Sequence, residues 1–394
     1  MTSTRLVVFL TSVGLLLGCV AEEVAPKEGR NPIYGDEGKS AVNPLFEGTM
    51  LTVDPGGRPV VVYAEKVIEK AIPGLKDTVK TQVRVVRPDA VGDGAAQPVV
   101  GDASPRALGT VKGVVHLLVS ASDGTLSSLV VGGGQQAPVP LPGFTAGDFG
   151  PVHRPAVNIG GTAFAALQGA GGEYDGQAVL VELNPSSGRP RVLAVGEPLK
   201  QLAARFLAHG SDAQPEFAVA FEGATGVHTA LSAGGELTST VETGKAGTPL
   251  AVWTDGKLAK TVVDTRAGQL LLLGRESVEV AVSTSALCRA ATFSPEGKPY
   301  ALEVTQTEVK LLDASGTALV TEKETFAEGD FADCAVVVTE REAHLVWRKL
   351  RSPPTESRIE LDEITYLQEP LNGSTAPRLK TKHDTAKNSI SNVR

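Results

Sequence analysis

The stretch CRAATFSPEGKPYALEVTQTEVKLLDASGTALVTE, residues 288–322, contains the unit from which the chain is built. It divides into four short segments rich in apolar and β-branched residues, namely RAATFS, PYALEV, EVKLLD and TALVTE. The turn sequence PEGK separates the first two segments and ASG separates the last two. Pro and Gly at such positions favour tight hairpins. The stretch therefore predicts four antiparallel strands in sequence order.

The first turn of this unit also carries a family resemblance. Residues 294–298, Ser-Pro-Glu-Gly-Lys, resemble the Ser-Pro-Asp-Gly-Lys hairpin of WD40-like (TolB-type) β-propellers, with Glu296 in place of aspartate. The resemblance implies that each four-stranded unit is one blade of a ring of sheets. Because it covers only five residues, the assignment depends on whether the unit recurs.

The hairpin between the first and second strands of the unit, which we call its first hairpin, recurs along the chain at nearly regular spacing. Its copies lie near Gly56, Gly113, Gly160, Asp212, Asp255, Gly297 and Glu340. The gaps between these positions are 57, 47, 52, 43, 42 and 43 residues, and a propeller blade takes about 40–50 residues. The spacing predicts an all-β fold, a seven-bladed β-propeller of four-stranded antiparallel blades, with six or eight blades as alternatives.

A second marker has the same period. The tripeptide Gly-Asp-Phe occurs at residues 147–149 and again at 329–331, which is 182 residues later, or four periods of 45.5. Each copy precedes a first hairpin, so both are expected at the same place in their blades. Two packed β-sandwiches are the alternative fold, and they would make this recurrence a coincidence.

Parts of the chain do not follow the repeat. EKVIEKAIPG, residues 65–74, has apolar residues at helical spacing, and we interpret it as a helix inserted in the first blade. PLKQLAARFL, residues 198–207, has the same helical spacing, which conflicts with the strand that the repeat predicts there. The strand that closes the ring could come from NPLFEGTML (residues 43–51) or from ESRIELDEITYL (residues 356–367).

The amino terminus has the anatomy of a signal peptide. Arg5 precedes an apolar run, Leu6–Cys19, of only 14 residues, whereas a membrane-spanning helix needs about 20. Leu16-Leu17-Gly18-Cys19 resembles the lipobox of bacterial lipoproteins. The resemblance implies lipid attachment to Cys19, cleavage before it and acylation of the new amino terminus, with an ordinary secretory signal as the alternative. Val20, in place of aspartate, suggests the outer membrane by the enterobacterial rule.

Charge and composition divide the chain into four segments. Residues 1–18 are the predicted signal peptide, residues 19–45 a lipidated flexible stalk, residues 46–370 the propeller and residues 371–394 a disordered tail. Removal of the signal peptide takes away only Arg5, which leaves 36 basic and 45 acidic side chains and a net charge of −9. This balance argues against a nucleic-acid partner.

Two cysteines remain once Cys19 is assigned to the lipid. In an oxidising envelope, Cys288 and Cys334 favour a disulfide, with two separately buried thiols as the alternative.

Motifs for catalysis are scarce. The six histidines show no metal-ligand spacing, and His116 and His344 lie in apolar strand patterns that favour packing. No Gly-x-Ser-x-Gly elbow is present, and the glycine-rich GAGGEYDG introduces no helix. We therefore predict no catalytic residue, no metal and no cofactor. The repeat register places candidate residues on one face of the ring, namely Asp148, His153, Arg154, Asp330 and Asp333.

Two functional hypotheses follow. The first is a non-enzymatic binding or scaffold module in the bacterial cell envelope, held to the membrane by its amino-terminal lipid and partnered by an envelope protein or glycan. The second is a propeller hydrolase or lyase that acts on a polysaccharide or lactone at the central channel. An acid or histidine cluster at one channel mouth would favour the enzyme.

Overall fold

The structure is a computed structural model. It describes residues 48–393 apart from 70–77, 94–95, 133–136, 147–154, 187, 195–205, 211–215, 224–225, 234–235, 243–246, 266–267, 274–277, 328–329, 351–362, 372 and 386–387. The signal peptide, Cys19 and the predicted stalk lie outside the described residues.

Seven antiparallel sheets follow one another along the chain, and each sheet is one blade of a seven-bladed β-propeller. The strands of blade 1, from the ring axis outward, are β1 (Met50–Val53), β2 (Pro59–Glu69), β3 (Thr78–Val86) and β5 (Ala96–Gly101), and the short β4 (Gly92–Asp93) lies between β3 and β5 in sequence. Those of blade 2 are β6 (Ala103–Val111), β7 (Val114–Ala121), β8 (Leu126–Val131) and β9 (Val139–Pro140).

Blade 3 has a divided inner strand, because β10 and β11 pair with opposite ends of β12. Its strands are β10 (Phe144–Thr145), β11 (Val157–Ile159), β12 (Thr162–Gly169), β13 (Ala178–Glu182) and β14 (Val192–Ala194). Blade 4 consists of β15 (Phe206–Gly210), β16 (Phe217–Gly223), β17 (Gly226–Ala233) and β18 (Glu236–Glu242). A 3₁₀ turn at Gly172–Tyr174 is the one helical element in the described ranges.

Blades 5 and 6 are regular four-stranded meanders. Blade 5 consists of β19 (Thr248–Thr254), β20 (Ala259–Asp264), β21 (Gln269–Leu273) and β22 (Val278–Ala281). Blade 6 consists of β23 (Cys288–Phe293), β24 (Pro299–Val304), β25 (Glu308–Leu312) and β26 (Ala318–Lys323). Blade 7 is wider, with β27 (Phe331–Val338), β28 (Glu342–Leu350), β29 (Glu363–Pro370), β30 (Leu379–Asp384) and β31 (Ser389–Asn392).

All seven predicted first hairpins join the first and second strands of their blades, so the predicted register is confirmed. In blade 6, Phe293 pairs with Pro299 across the SPEGK turn, and in blade 7 Val338 pairs with Ala343. The hairpin of blade 4 lies between Gly210 and Phe217, and its residues 211–215 are outside the described part.

Small aliphatic side chains fill the space between blades. The layer between blades 1 and 2, for example, holds Val60, Val62, Leu117 and Val119, all buried. Aromatic residues are only 5% of the chain, and Val, Leu and Ala let neighbouring sheets pack closely. Each blade buries both of its faces in this way, which is why one ring can hold more residues than a single ordinary core.

Neither of the two candidate closing strands is shared between blades 1 and 7. The first candidate for a closing strand contributes β1, the inner strand of blade 1, and the second contributes β29, the third strand of blade 7. Closure instead occurs at the rim, where β31 pairs with β4 through Ser389–Asp93 and Ile390–Gly92. Blade 7 therefore becomes a six-stranded sheet whose last strand comes from blade 1.

The prediction of a disordered tail at residues 371–394 is wrong. This segment forms β30 and β31, which extend blade 7 beyond β29. Thr381, His383 and Ile390 are buried against blade 1. The tail is short of apolar residues, but these three side chains still find buried places, and the propeller therefore continues to residue 393 rather than ending at residue 370.

The helix predicted at residues 65–74 is also not observed in its described part. Val67 and Ile68 lie in β2 and pair with Lys80 and Val79 of β3. Residues 70–77 are outside the described part of the chain. The second helical pattern, residues 198–207, is described only at its end, where Phe206 begins β15.

Candidate functional site

The candidate residues from the repeat register are described only in blade 7. Asp330 and Asp333 lie at the start of β27, on the face of the ring where the inner strands begin. Asp148, His153 and Arg154 fall in the undescribed segment 147–154, and so does the first Gly-Asp-Phe tripeptide.

Asp333 is buried in the joint between blades 7 and 1. It lies opposite Arg348 in the β27–β28 ladder, and its carboxylate accepts a hydrogen bond from the backbone N–H of Thr49, just before β1. Burial raises the pKa of Asp333, although the Thr49 hydrogen bond and the charge of Arg348 oppose that rise. This carboxylate ties the first described residues of the chain to the last blade.

Asp330 has a similar internal role. One of its carboxylate oxygens accepts a 2.7 Å hydrogen bond from the Ala327 N–H and lies 3.7 Å from Lys349 Nζ. The side chain thus holds the turn that leads into β27. Neither of the two described candidate acids presents a free carboxylate for catalysis at the channel.

The two remaining cysteines are bonded to each other. Cys288 on β23 and Cys334 on β27 have Cα atoms 6.1 Å apart and join the inner strands of blades 6 and 7. Both residues are buried. The bond reinforces one of the joints between neighbouring blades.

A buried charge cluster links blades 5 and 6 on the same face of the ring. Arg289 donates from Nη1 to Asp264 at 2.9 Å, and its Nε lies 3.5 Å from Glu303. Glu303 in turn accepts a 2.7 Å hydrogen bond from the Ser283 N–H. The guanidinium neutralises carboxylates from both blades, so this cluster also stabilises the ring.

The opposite face carries the seven first hairpins, and we call it the hairpin face. Adjacent turns touch each other there: a Cβ built on Gly113 would lie 3.3 Å from Pro55, and one built on Gly297 would lie 2.7 Å from the Trp253 ring. The Trp253 indole N–H also donates to the Pro295 carbonyl at 3.3 Å. These contacts join the hairpins of blades 1 and 2 and of blades 5 and 6 into one surface.

A side-chain oxygen closes many of these turns. Asp54 Oδ1 accepts hydrogen bonds from the N–H groups of Gly56 and Arg58, at 2.9 and 3.0 Å. Asp255 Oδ1 accepts from Lys257 and Leu258, at 2.9 and 2.8 Å. Asn158, Ser294 and Thr339 do the same in blades 3, 6 and 7. Such bonds fix the turns before any partner binds.

The hairpin face carries charges of both signs, and hydrogen bonds within the turns hold the carboxylates of Asp54 and Asp255. The hydrogen bonds from Lys257 and Leu258 keep the pKa of Asp255 below its ordinary value. Burial raises the pKa of Asp54, but hydrogen bonds from Arg58 and Arg87 outweigh burial and lower it overall. The exposed basic side chains of this face are Arg58, Lys112, Lys257, Lys298 and Arg341, and the exposed acidic ones are Asp255, Glu296 and Glu340. The face is polar and rigid, which suits recognition of a polar surface.

The joint between blades 7 and 1 holds a polar layer that sequence reasoning did not foresee. His344 is fully buried, as its strand pattern predicted, and shares a 2.8 Å hydrogen bond with the Tyr366 hydroxyl. His383 is also buried and lies 5.9 Å from the Tyr63 ring, measured between centroids. His383 was part of the predicted disordered tail, so no local signal indicated its burial.

The basic side chains in the described part of the tail are paired within the protein. Arg378 and Lys380 both contact Glu322 of blade 6, and Lys382 lies 2.5 Å from Glu363. These pairs satisfy the charges that could otherwise have made the tail a basic arm.

Membrane and metal features of the described part are few. None of the helices found there is long and apolar enough to cross a membrane. Among the described residues, no group of three or more His, Cys, Asp or Glu side chains is placed to hold a metal ion.

Comparisons with known proteins give similarity in fold only. The sequence matches no protein-family model and no curated protein. Among solved structures, Sqt1 from Saccharomyces cerevisiae is 9% identical, with a TM-score of 0.46 over 88% of this chain and 97% of that one. A chain of the COPII outer coat vertex is 8% identical, with a TM-score of 0.44 over the same shares.

A third similar structure is dihydro-heme d1 dehydrogenase NirN. It is 14% identical, with a TM-score of 0.35, over 70% of this chain and 57% of NirN, so the chain aligns with less than two thirds of that protein. At these identities the similarity concerns fold alone. The assignment of a seven-bladed β-propeller rests on the strand order of the seven sheets.

Proposed function

We propose that this chain is a lipid-anchored β-propeller of the bacterial cell envelope, and that it acts as a non-enzymatic binding or scaffold module for an envelope protein or glycan. The hairpin face is the proposed contact surface. The observation that carries the proposal is the set of hydrogen-bonded turns that present exposed charges of both signs in a fixed arrangement.

Two features support an envelope location. Leu16-Leu17-Gly18-Cys19 supplies a lipobox-like cleavage site, and Cys288 and Cys334 form a buried disulfide, which persists in oxidising compartments. The outer membrane remains the proposed destination, from Val20 at the position after the lipidated cysteine.

The geometry of the chain start supports the choice of face. Thr49 enters the ring beside Asp333, on the face where inner strands begin. The hairpin face lies on the opposite side of the ring from Thr49, and we therefore propose it as the surface that meets a partner.

The lipid anchor can be tested by metabolic labelling with a clickable fatty acid, followed by fractionation. We expect wild-type protein to carry the label and to sediment with membranes, whereas Cys19→Ala loses both. Label on Cys19→Ala, or wild-type protein without label, would contradict the anchor without touching the binding proposal.

The binding face can be tested by photo-crosslinking in intact cells. A crosslinker at Lys257 should give a discrete adduct with an envelope protein or glycan, and charge reversal at Lys298 (K298E) should reduce that adduct. A crosslinker at Lys323, exposed on the outer strand of blade 6, is the matched control. Equal adducts from both sites, or an adduct unchanged by K298E, would refute the proposed face.

A further inference from the structure

The joint between blades 7 and 1 differs from the other joints in one respect. Successive blades elsewhere in the ring are connected by the chain itself, and blades 6 and 7 are also joined by the Cys288–Cys334 disulfide. Blades 7 and 1 lie at the two ends of the propeller, and within the described residues the contacts between them are non-covalent. Separation of this joint requires no blade to unfold.

His344 lies in the inner part of this joint. It is completely buried, and its Nδ1 is hydrogen-bonded to the hydroxyl of Tyr366 on β29. Its Nε2 has no hydrogen-bond partner among the described residues and lies 3.6 Å from Glu342 on the same strand. Asp89, after β3 of blade 1, is the other charged group that acts on this imidazole.

His383 lies in the outer part, on β30. Its Nε2 donates a 3.3 Å hydrogen bond to Asn388 Oδ1, and its buried Nδ1 has no partner in the described structure. Asp384 and Asn388 favour a charge on this ring, whereas Arg84 of blade 1 and Arg348 of blade 7 oppose one. A second proton on His383 would therefore be placed on an unpartnered nitrogen near two guanidinium groups.

The rim contact depends directly on the partner of His383. The Asn388 oxygen that accepts from His383 also accepts from the Ala96 N–H of blade 1, at 2.8 Å. A change in the charge of His383 therefore acts on the same amide that joins β31 to blade 1.

From this arrangement we infer that the joint between blades 7 and 1 opens reversibly on acidification, through protonation of His344 and His383. Opening would separate β31 from β4 and expose apolar side chains of both blades, including Val61 and Ile364. The burial of each histidine, which lowers its pKa from the ordinary value, is consistent with this behaviour. The inference concerns regulation of the ring and does not depend on the partner.

Proton linkage sets the direction in which pH changes the stability of the closed joint. In the closed joint both imidazoles are neutral, while in the open joint they take up protons near their ordinary pKa of about 6.5. The closed form is thus fully favoured above about pH 6.5 and loses stability below it. The opening constant should rise by about tenfold per pH unit for each histidine that titrates, until the pH reaches the pKa of the closed form.

Hydrogen exchange of the purified full chain tests the inference, with rates corrected for the intrinsic effect of pH. Between pH 7.5 and 5.5 we expect the Ala96 amide, which donates across the joint to Asn388, to exchange at least tenfold faster, while the amides of Glu308–Leu312 in blade 6 keep their protection. Equal protection of the Ala96 amide at both pH values would overturn the inference.

Two variants separate the effect of these histidines from general effects of acid. The double variant H344Q/H383Q should abolish the pH dependence of exchange at the Ala96 amide. H209Q removes a half-buried histidine between blades 4 and 5 and should leave that dependence unchanged. If the double variant does not fold, imidazole NMR of the wild type decides: titration of both rings at their ordinary pKa while the Ala96 amide stays protected would overturn the inference.

Discussion

Asn388 and Ala96 are joined by two hydrogen bonds although 292 positions separate them in the chain. The side-chain oxygen of Asn388, Oδ1, accepts a hydrogen bond from the Ala96 N–H at 2.8 Å, and its side-chain nitrogen, Nδ2, donates to the Ala96 backbone carbonyl at 3.1 Å. The side chain thus imitates a neighbouring strand and extends the sheet of blade 1 to the carboxyl-terminal segment. Ring closure depends on this amide as well as on β31 and β4.

Replacement of Asn388 should therefore loosen the rim. Asn388 has a φ of 48°, in the left-handed region that glycine tolerates best. We expect N388G, which keeps the backbone conformation, to lower the free energy of unfolding by about 1 kcal/mol for each of the three lost hydrogen bonds, two with Ala96 and one with His383.

N388A should cost about 1–2 kcal/mol more, because alanine also opposes the positive φ. Urea denaturation of both variants measures the two contributions separately. Wild-type stability of N388G would show that these hydrogen bonds do not contribute to closure.

The disulfide should make a large contribution to stability. Cys288 and Cys334 are 46 positions apart, and a closed loop of this length corresponds to about 4 kcal/mol in the chain-entropy treatment. Reduction should shift the denaturation midpoint down by the corresponding amount. The double variant C288A/C334A should show a low midpoint that a reductant no longer changes; a wild-type midpoint that is insensitive to reductant would contradict the prediction.

Gly297 and Gly57 provide a matched pair on the hairpin face. Their φ angles are 75° and 76°, but a Cβ at Gly297 would lie 2.7 Å from the Trp253 ring, whereas a Cβ at Gly57 would have nothing within 4 Å. G57A should cost about 1–2 kcal/mol from backbone strain alone.

G297A should cost a further 1–3 kcal/mol or so, because it forces Trp253 to move. Trp253 fluorescence should change in G297A and stay unchanged in G57A, and thermal unfolding of both variants gives the difference in stability. Equal losses would mean that the ring of Trp253 moves away at no cost.

His209 should make the stability of the propeller depend on pH. It lies between blades 4 and 5, where its Nδ1 accepts a 3.2 Å hydrogen bond from the Thr254 N–H. Burial lowers the pKa of His209 from 6.5 to about 4. The unfolded chain therefore binds the proton first, so stability is complete above about pH 6.5 and declines between pH 6.5 and about 4.

The loss attributable to His209 across that interval is about 3 kcal/mol. H209Q retains a side-chain acceptor for Thr254 but cannot be protonated, so its stability should decline less steeply than that of the wild type. Urea denaturation at several pH values between 4 and 7.5 measures the difference. Parallel curves for the two proteins would contradict this role of His209.

The positions of the hairpins could be predicted because their determinants are local. In residues 294–298 the serine hydroxyl, the proline and the glycine all act within one turn, and Gly297 supplies the φ of 75° that the turn requires. The same holds at Asp54 and Asp255, whose carboxylates bond to amides two to four residues ahead. Turn chemistry of this kind is readable from a single sequence.

The misassigned segments depend on partners far away in the chain. Val67 and Ile68 have helical spacing, yet pairing with β3 places them in a strand. The tail strands β30 and β31 contain few apolar residues, and their stability comes from blade 1 and from Glu322 of blade 6. No local pattern could have distinguished this tail from a solvated one.

The sequence by itself determined the seven-fold repeat, the place of each first hairpin and the preference of the two later cysteines for a bond, because turn geometry and strand alternation act over a few residues. Only the tertiary structure decided how the ring closes, that Asp330 and Asp333 serve internal contacts, and that His344 and His383 are buried at the closing joint. Those outcomes depend on contacts between residues nearly 300 positions apart, such as Asn388 with Ala96, and the free energy of such contacts exists only when the whole ring is assembled.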